Sequence, residues 1–267
     1  MITVESLVPW IGGALAVGGI AVASTRRREL VRRWLIWVTV VTLVVGLFWW
    51  GEPGTALLAA TAGIIAAVEL GRLLELTTPD VAALGLALVA VVVTVWLTPD
   101  LTLYALGAGA LLIAALPVLQ GDAPDGLRRL SAGVLGLAWL APLAGLVPLG
   151  ATALALFVAV SVADIAAFFA GPRLGGPRLS PLSPAKRWSG TLVGVVAGLV
   201  VLAVLGALSW PTAAAVAIGA PAGDLLESMV KRGVRAKDSG NLMAGAGGLL
   251  DRIDSMLIAL ATLLVLT

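Results

Sequence analysis

The chain alternates long apolar runs with short polar breaks, and the runs have the length of a bilayer. Taking charges, prolines and Gly/Asp/Pro clusters as breaks gives apolar stretches near residues 7–24, 34–50, 54–76, 81–98, 101–119, 130–149, 151–170, 189–209, 211–230 and 250–267. A helix needs ~20 mostly apolar residues to cross lipid, where every backbone N–H and C=O must be satisfied within the segment. The pattern therefore predicts an all-α, polytopic transmembrane helical bundle of nine or ten spans. The first run is followed by Arg26, Arg27 and Arg28 rather than by a small-residue cleavage site, which reads as a retained helix.

The breaks differ in charge. All 17 Lys and Arg residues lie in or beside every second connection: Arg26 to Arg33, Arg72, Arg128 and Arg129, Arg173 to Arg187, and Lys231 to Arg252. The opposite connections, around Glu52, Asp100, Gly150 and Trp210, contain none. The positive-inside rule makes the basic connections cytoplasmic and both termini external. Trp49, Trp50, Trp96 and Trp210 fall at the outer ends and Trp34 and Trp188 at the inner ends, where amphipathic rings prefer the headgroup level.

Composition narrows the chemistry. With 60% hydrophobic and 12% charged residues, a soluble domain with a polar shell is excluded. Cysteine and histidine are both absent, which excludes disulfides, thiolate or imidazole nucleophiles and the usual zinc sites. A bound metal here is oxygen-ligated.

Four groups of charged residues interrupt the apolar runs, and all fall on the cytoplasmic half. Asp164 lies in the seventh run and Asp224 and Glu227 in the ninth, with Ser228 one turn beyond Asp224. Asp251 and Asp254 open the tenth, three apart and so on one face. Glu69, Arg72 and Glu75 line one side of the third run and read as an ion-pair ladder at the interface. Charges inside spans face a partner or a water-filled cavity. Asp164, Asp224 and Asp251 thus predict a cytoplasmic-facing polar cavity, and carboxylates beside Lys and Arg suggest Mg²⁺ and phosphate. Gly245, Gly247 and Gly248 either let the chain turn or let backbone N–H groups approach a phosphate at the start of the last helix.

Two stretches match a known family. SMVKRGVRAKDSGNLMAGAGGLLDRID, with Ser228, Lys231, Arg232, Lys237, Asp238, Gly247, Gly248, Asp251, Arg252 and Asp254 in register, resembles the C-terminal signature of phosphatidate cytidylyltransferases. DIAAFFAGPRLGGPRLSPLSPAKRWSG, from Asp164 to Gly190, is similar to the family's Asp-bearing helix end and its Gly-rich, SP-K loop. The resemblance covers roughly the last 110 residues well. It departs at Ala246, where the family usually has His, at Ala244 in place of Pro, and at Ser189 where the usual motif has Glu.

The resemblance implies transfer of CMP from CTP to phosphatidic acid, giving CDP-diacylglycerol and pyrophosphate for phospholipid synthesis. It implies Asp224, Asp251, Asp254 and Asp164 as ligands of Mg²⁺. Lys231, Arg232, Lys237, Asp238 and Arg252 are the implied catalytic residues, and Lys186, Ser228, Gly247 and Gly248 the implied substrate contacts. Residues 1–150 are then an N-terminal lipid-binding or oligomerising part and residues 151–267 the catalytic part. The expected setting is a bacterial inner membrane with the site facing the cytoplasm. The expected partners are CTP, phosphatidic acid and membrane lipids, a second copy of the chain being allowed and nucleic acid not. The alternatives are a degenerate member serving as a lipid-binding scaffold, a cytidylyltransferase for another lipid phosphate, and an anion or lipid transporter.

Overall fold

The computed structural model describes residues 2–25, 28–236 and 248–267, the side chains of Arg28 and Arg33 excepted. Among these residues ten apolar helices follow one another: α1 (Val4–Ser24), α2 (Arg28–Trp49), α3 (Glu52–Leu73), α4 (Thr78–Leu97), α5 (Thr102–Leu119), α6 (Gly126–Leu149), α7 (Ala151–Leu174), α8 (Trp188–Val204), α9 (Trp210–Gly233) and α10 (Leu250–Leu266). Eight are long and apolar enough to cross a membrane. The other two, α8 and α10, have 17 residues each, a length of ~25 Å at 1.5 Å per residue. The chain is an integral membrane protein built as an all-α polytopic bundle. The one strand pair among the described residues is a hairpin between α7 and α8, in which β1 (Arg178–Ser180) pairs antiparallel with β2 (Ser183–Arg187).

Helix ends fall where local chemistry stops them. α7 runs four residues past the expected 170, until Gly175 and Gly176 take positive φ angles of 67° and 94°. α8 stops five residues short of 209, because Gly206 turns the chain at φ 70°. Ser209 and Thr212 then cap the start of α9 reciprocally. Within α6, a 3₁₀ turn over Ala141–Gly145 takes up Pro142.

Lipid tails give no hydrophobic force between helices, so the bundle packs through small residues. A Cβ on Gly194 of α8 would lie 2.6 Å from the Ala163 carbonyl oxygen of α7, and one on Gly190 would lie 2.8 Å from that of Ala167. Backbones this close leave no room for a side chain. Leu70 of α3, Leu84 of α4 and Leu140 of α6 are fully buried in the core beside them.

Two of the basic connections, α3–α4 and α5–α6, meet. Arg129 of α6 donates two hydrogen bonds of 2.8 Å to Asp80 of α4, one of 2.7 Å to Asp122 and one of 2.8 Å to Gln120. Its hydrogen bond holds the Asp122 carboxyl below the usual range. Beside it, Arg128 donates to the Leu74 carbonyl at the end of α3 (2.8 Å). This polar belt locks α3, α4 and the α5–α6 connection together.

Gly194→Val is expected to lower stability by about 1–3 kcal/mol through overpacking. Gly12→Val on α1, where an added Cβ meets nothing within 4 Å, should change it little. Melting temperatures of the two variants in detergent check this.

Candidate active site

Asp224 owes its position to a proline. Pro221 in the interior of α9 has no N–H to give and crowds the carbonyl four residues back. The helix absorbs this in a wide π turn over Ala215–Gly219, a device frequent at functional sites. Beyond it Asp224, Glu227 and Lys231 stand three and four residues apart and share one face. Gly219 and Gly223 bring that face onto α10: added Cβ atoms there would lie 2.8 Å from the Ala259 Cα and 2.4 Å from the Asp254 carbonyl oxygen.

Across this contact the charges pair. Lys231 Nζ lies 2.9 Å from Glu227 Oε2 and 2.8 Å from Asp251 Oδ1, joining α9 to α10. The second Asp251 oxygen accepts the Gly248 N–H at 2.9 Å. The next two N–H groups, of Leu249 and Leu250, are taken at 2.9 and 2.8 Å by Glu69 of α3. Glu69 thus turns to the start of α10 rather than to the expected ladder. The N–H groups of residues 248–250 are engaged by these carboxylates.

The hairpin brings the second lysine. Gly175 and Gly176 redirect the chain after α7, Arg187 donates to the Gly176 carbonyl (2.6 Å), and Ser189 donates to that of Gly175. Ser189 is thereby a clasp for the loop. β2 delivers Lys186 to an ion pair with Asp224. Burial holds the Lys186 ammonium below the ordinary lysine value, against the opposing pull of Asp254, Asp164 and Glu227.

Lys186 and the carboxylates around it line one end of a cavity of about 1240 Å³, with Lys231 paired behind Glu227 and Asp251. Asp164, Lys186, Asp224, Glu227, Asp251 and Asp254 form the polar end, while Trp10, Val44, Phe48 and Phe157 wall the apolar remainder. Arg252 lies over the Trp37 ring of α2, 5.8 Å from its centroid, and both line the same cavity. Glu227 is 5% exposed, and its Oε1 is buried with no hydrogen-bond partner among the described residues. An oxygen in that state suits a cation. No three carboxylates among the described residues stand close enough to hold one ion together. A Mg²⁺ here would take one or two of them and leave the rest of its shell to water and phosphate, its usual manner of binding.

The structure brings together Asp164, Lys186, Asp224, Lys231, Asp251, Arg252 and Asp254 of the sequence candidates. Ser228 and Arg232 do not line the cavity: at ~100° per residue they are rotated ~40° and ~80° from Asp224, on the side away from Glu227. Gly248 is buried beside Asp251. Lys237, Asp238 and Gly247, like Ala244 and Ala246, lie outside the described residues. Glu227 carries no assignment from sequence, although its i, i+4 spacing to Lys231 inside a span signals a buried pair.

The profile of the Cytidylyltransferase family matches residues 31–267. The chain belongs to the cytidylyltransferase family. A phosphatidate cytidylyltransferase of Brucella suis biovar 1 (strain 1330) is 35% identical over 263 residues, covering 86% of each chain. One from Helicobacter pylori (strain ATCC 700392 / 26695) is 44% identical over 110 residues, 38% of this chain and 41% of that one. One from Synechocystis sp. (strain ATCC 27184 / PCC 6803 / Kazusa) is 46% identical over 109 residues, 37% of each. In this cytidylyltransferase α1 precedes the matched stretch, yet its Trp10 and Leu15 line the cavity.

Gly223→Ala places a methyl group within 2.4 Å of the Asp254 carbonyl oxygen and forces α10 outward. A misplacement of ~1 Å costs about 10²-fold in rate. Cytidylyl transfer measured at matched protein levels should fall by that order.

Proposed function

We propose that the protein transfers CMP from CTP to phosphatidic acid, releasing pyrophosphate and leaving CDP-diacylglycerol in the membrane. The observation that carries this reading is one cavity with carboxylates and Lys186 at one end and an apolar wall at the other. A nucleoside triphosphate requires the first, and acyl chains require the second.

The reaction suits a chain without His or Cys. The acceptor is a phosphomonoester, already anionic at neutral pH, so its oxygen needs no general base. That oxygen forms a bond to the α-phosphorus of CTP while the bond to the bridging oxygen breaks, and pyrophosphate leaves with the electron pair. Catalysis then consists of alignment and charge neutralisation. Lys186 and Lys231, which rest on Asp224 and on Glu227 and Asp251, would turn to the phosphates. Arg252, steadied by Trp37, would orient the acceptor phosphate.

Asp224 or Asp251, or the buried Oε1 of Glu227 that the sequence reading left out, would hold Mg²⁺ one or two at a time, with Asp254 and Asp164 further out as orienting carboxylates. The ion supplies neutralisation of the developing phosphate charge. The placement of all 17 Lys and Arg in or beside every second connection of the sequence supports a site facing the cytoplasm of a bacterial inner membrane.

Purified protein in detergent, given CTP, Mg²⁺ and phosphatidic acid, is expected to form CDP-diacylglycerol, and folded protein that forms none overturns the reading. Asp251→Asn should reduce turnover by about 10²-fold or more, the scale on which a single charge-stabilising contact acts. Orientation has its own check, because the chain has no cysteine. In intact cells a membrane-impermeant maleimide should label Asp100→Cys and spare Pro181→Cys at the hairpin tip; the reverse pattern would invert the topology.

A further inference from the structure

We infer that Glu69 of α3 is a positioning residue for this site: it fixes the start of α10 and so aims Asp251 and Asp254. The inference rests on the proposed transfer reaction for its kinetic consequence, but not for its structural one. Glu69 is 3% exposed, yet it is absent from the cavity lining. Its two carboxylate oxygens accept the N–H groups of Leu249 and Leu250, 180 and 181 residues away in sequence.

A helix start leaves four N–H groups unsatisfied, and a local Ser, Thr, Asp or Asn usually takes one of them. α10 begins instead with Leu249 at the cap position, which has no oxygen to offer. Glu69 performs that office from another helix, with a negative charge at the positive end of the α10 dipole. Its own helix is anchored, since Arg128 holds the carbonyl of Leu74 just beyond α3.

The consequence is a fixed phase for α10. A slip of one residue turns a helix by ~100° and shifts it by ~1.5 Å. Such a slip would take Asp251 away from Lys231, now at 2.8 Å. Gly223 holds the side of α10 at Asp254, and Glu69 holds its end. Only a carboxylate does this with both oxygens: a glutamine offers one acceptor and turns an N–H₂ donor toward a donor.

The test compares wild type, Glu69→Gln and Glu69→Asp, purified in detergent, by steady-state kinetics and by amide hydrogen exchange. Glu69→Gln should lose about 10–100-fold in kcat, as orienting partners of ligand groups do, with the KM for CTP changed by less than about threefold. Exchange in peptides spanning residues 248–256 should accelerate, while peptides from α3 to α6 keep their protection. Unchanged kcat, unchanged exchange over 248–256, or a loss carried by KM alone overturns the inference. If Glu69→Gln does not fold, Glu69→Asp decides, because it keeps the charge but falls one methylene short. It should show intermediate kcat and intermediate exchange, and wild-type values of both overturn the inference. A wild-type protein that makes no product overturns the transfer reaction alone, since the exchange difference is read without turnover.

Discussion

A charge taken out of water must be met by another, and at the crossing of α9 and α10 Lys231 meets two. Its ammonium lies between Glu227 and Asp251, all three largely buried. Such a group is not a source of net stability, since desolvation offsets most of the attraction, but deleting one member strands the others at a cost of about 3–5 kcal/mol. With Lys186 on Asp224, two lysines meet three of the site's carboxylates at rest. A phosphate that draws a lysine away uncovers a carboxylate, and a cation that occupies a carboxylate releases a lysine.

Glycine makes that crossing possible. Helices carrying ordinary side chains keep their axes 8–10 Å apart, which spreads the groups on them. Gly219 and Gly223 remove the side chains at the contact, so that the α10 backbone lies against α9 itself. The same device joins α7 to α8 at Gly190 and Gly194. Asp164 on α7 and the hairpin leading into α8 are therefore held with the same closeness as the α9–α10 pair. The polar belt of Arg128, Arg129 and Asp80 closes the other side of this end of the bundle.

Much of this was legible in the order of residues. Apolar runs of bilayer length give the helices because lipid allows the backbone no other open form, and Asp164, Asp224, Asp251 and Asp254 declare themselves by standing where charge is costly. What could not be read was whatever depends on contact between distant segments. Glu69 looks like a member of a local ladder with Arg72, since spacing reports only neighbours on one helix, and its true partners lie on α10. The π turn is similar: Pro221 announces a disturbance, but only the packing of Gly219 against Ala259 decides that a wide turn relieves it. Ser228 was placed with Asp224 because four residues make about one turn, and the overshoot of ~40° sets it outside the cavity.

The long reach of Glu69 also bears on how the protein is made. α3 precedes α10 by 180 residues, so during synthesis Glu69 is made long before the two N–H groups that satisfy it. Until α10 arrives, those two hydrogen bonds of a carboxylate that is buried in the folded protein are unmade. A chain broken off before Leu249 keeps that defect permanently. The carboxylate is satisfied in the same step that delivers Asp251 and Asp254 to the active site.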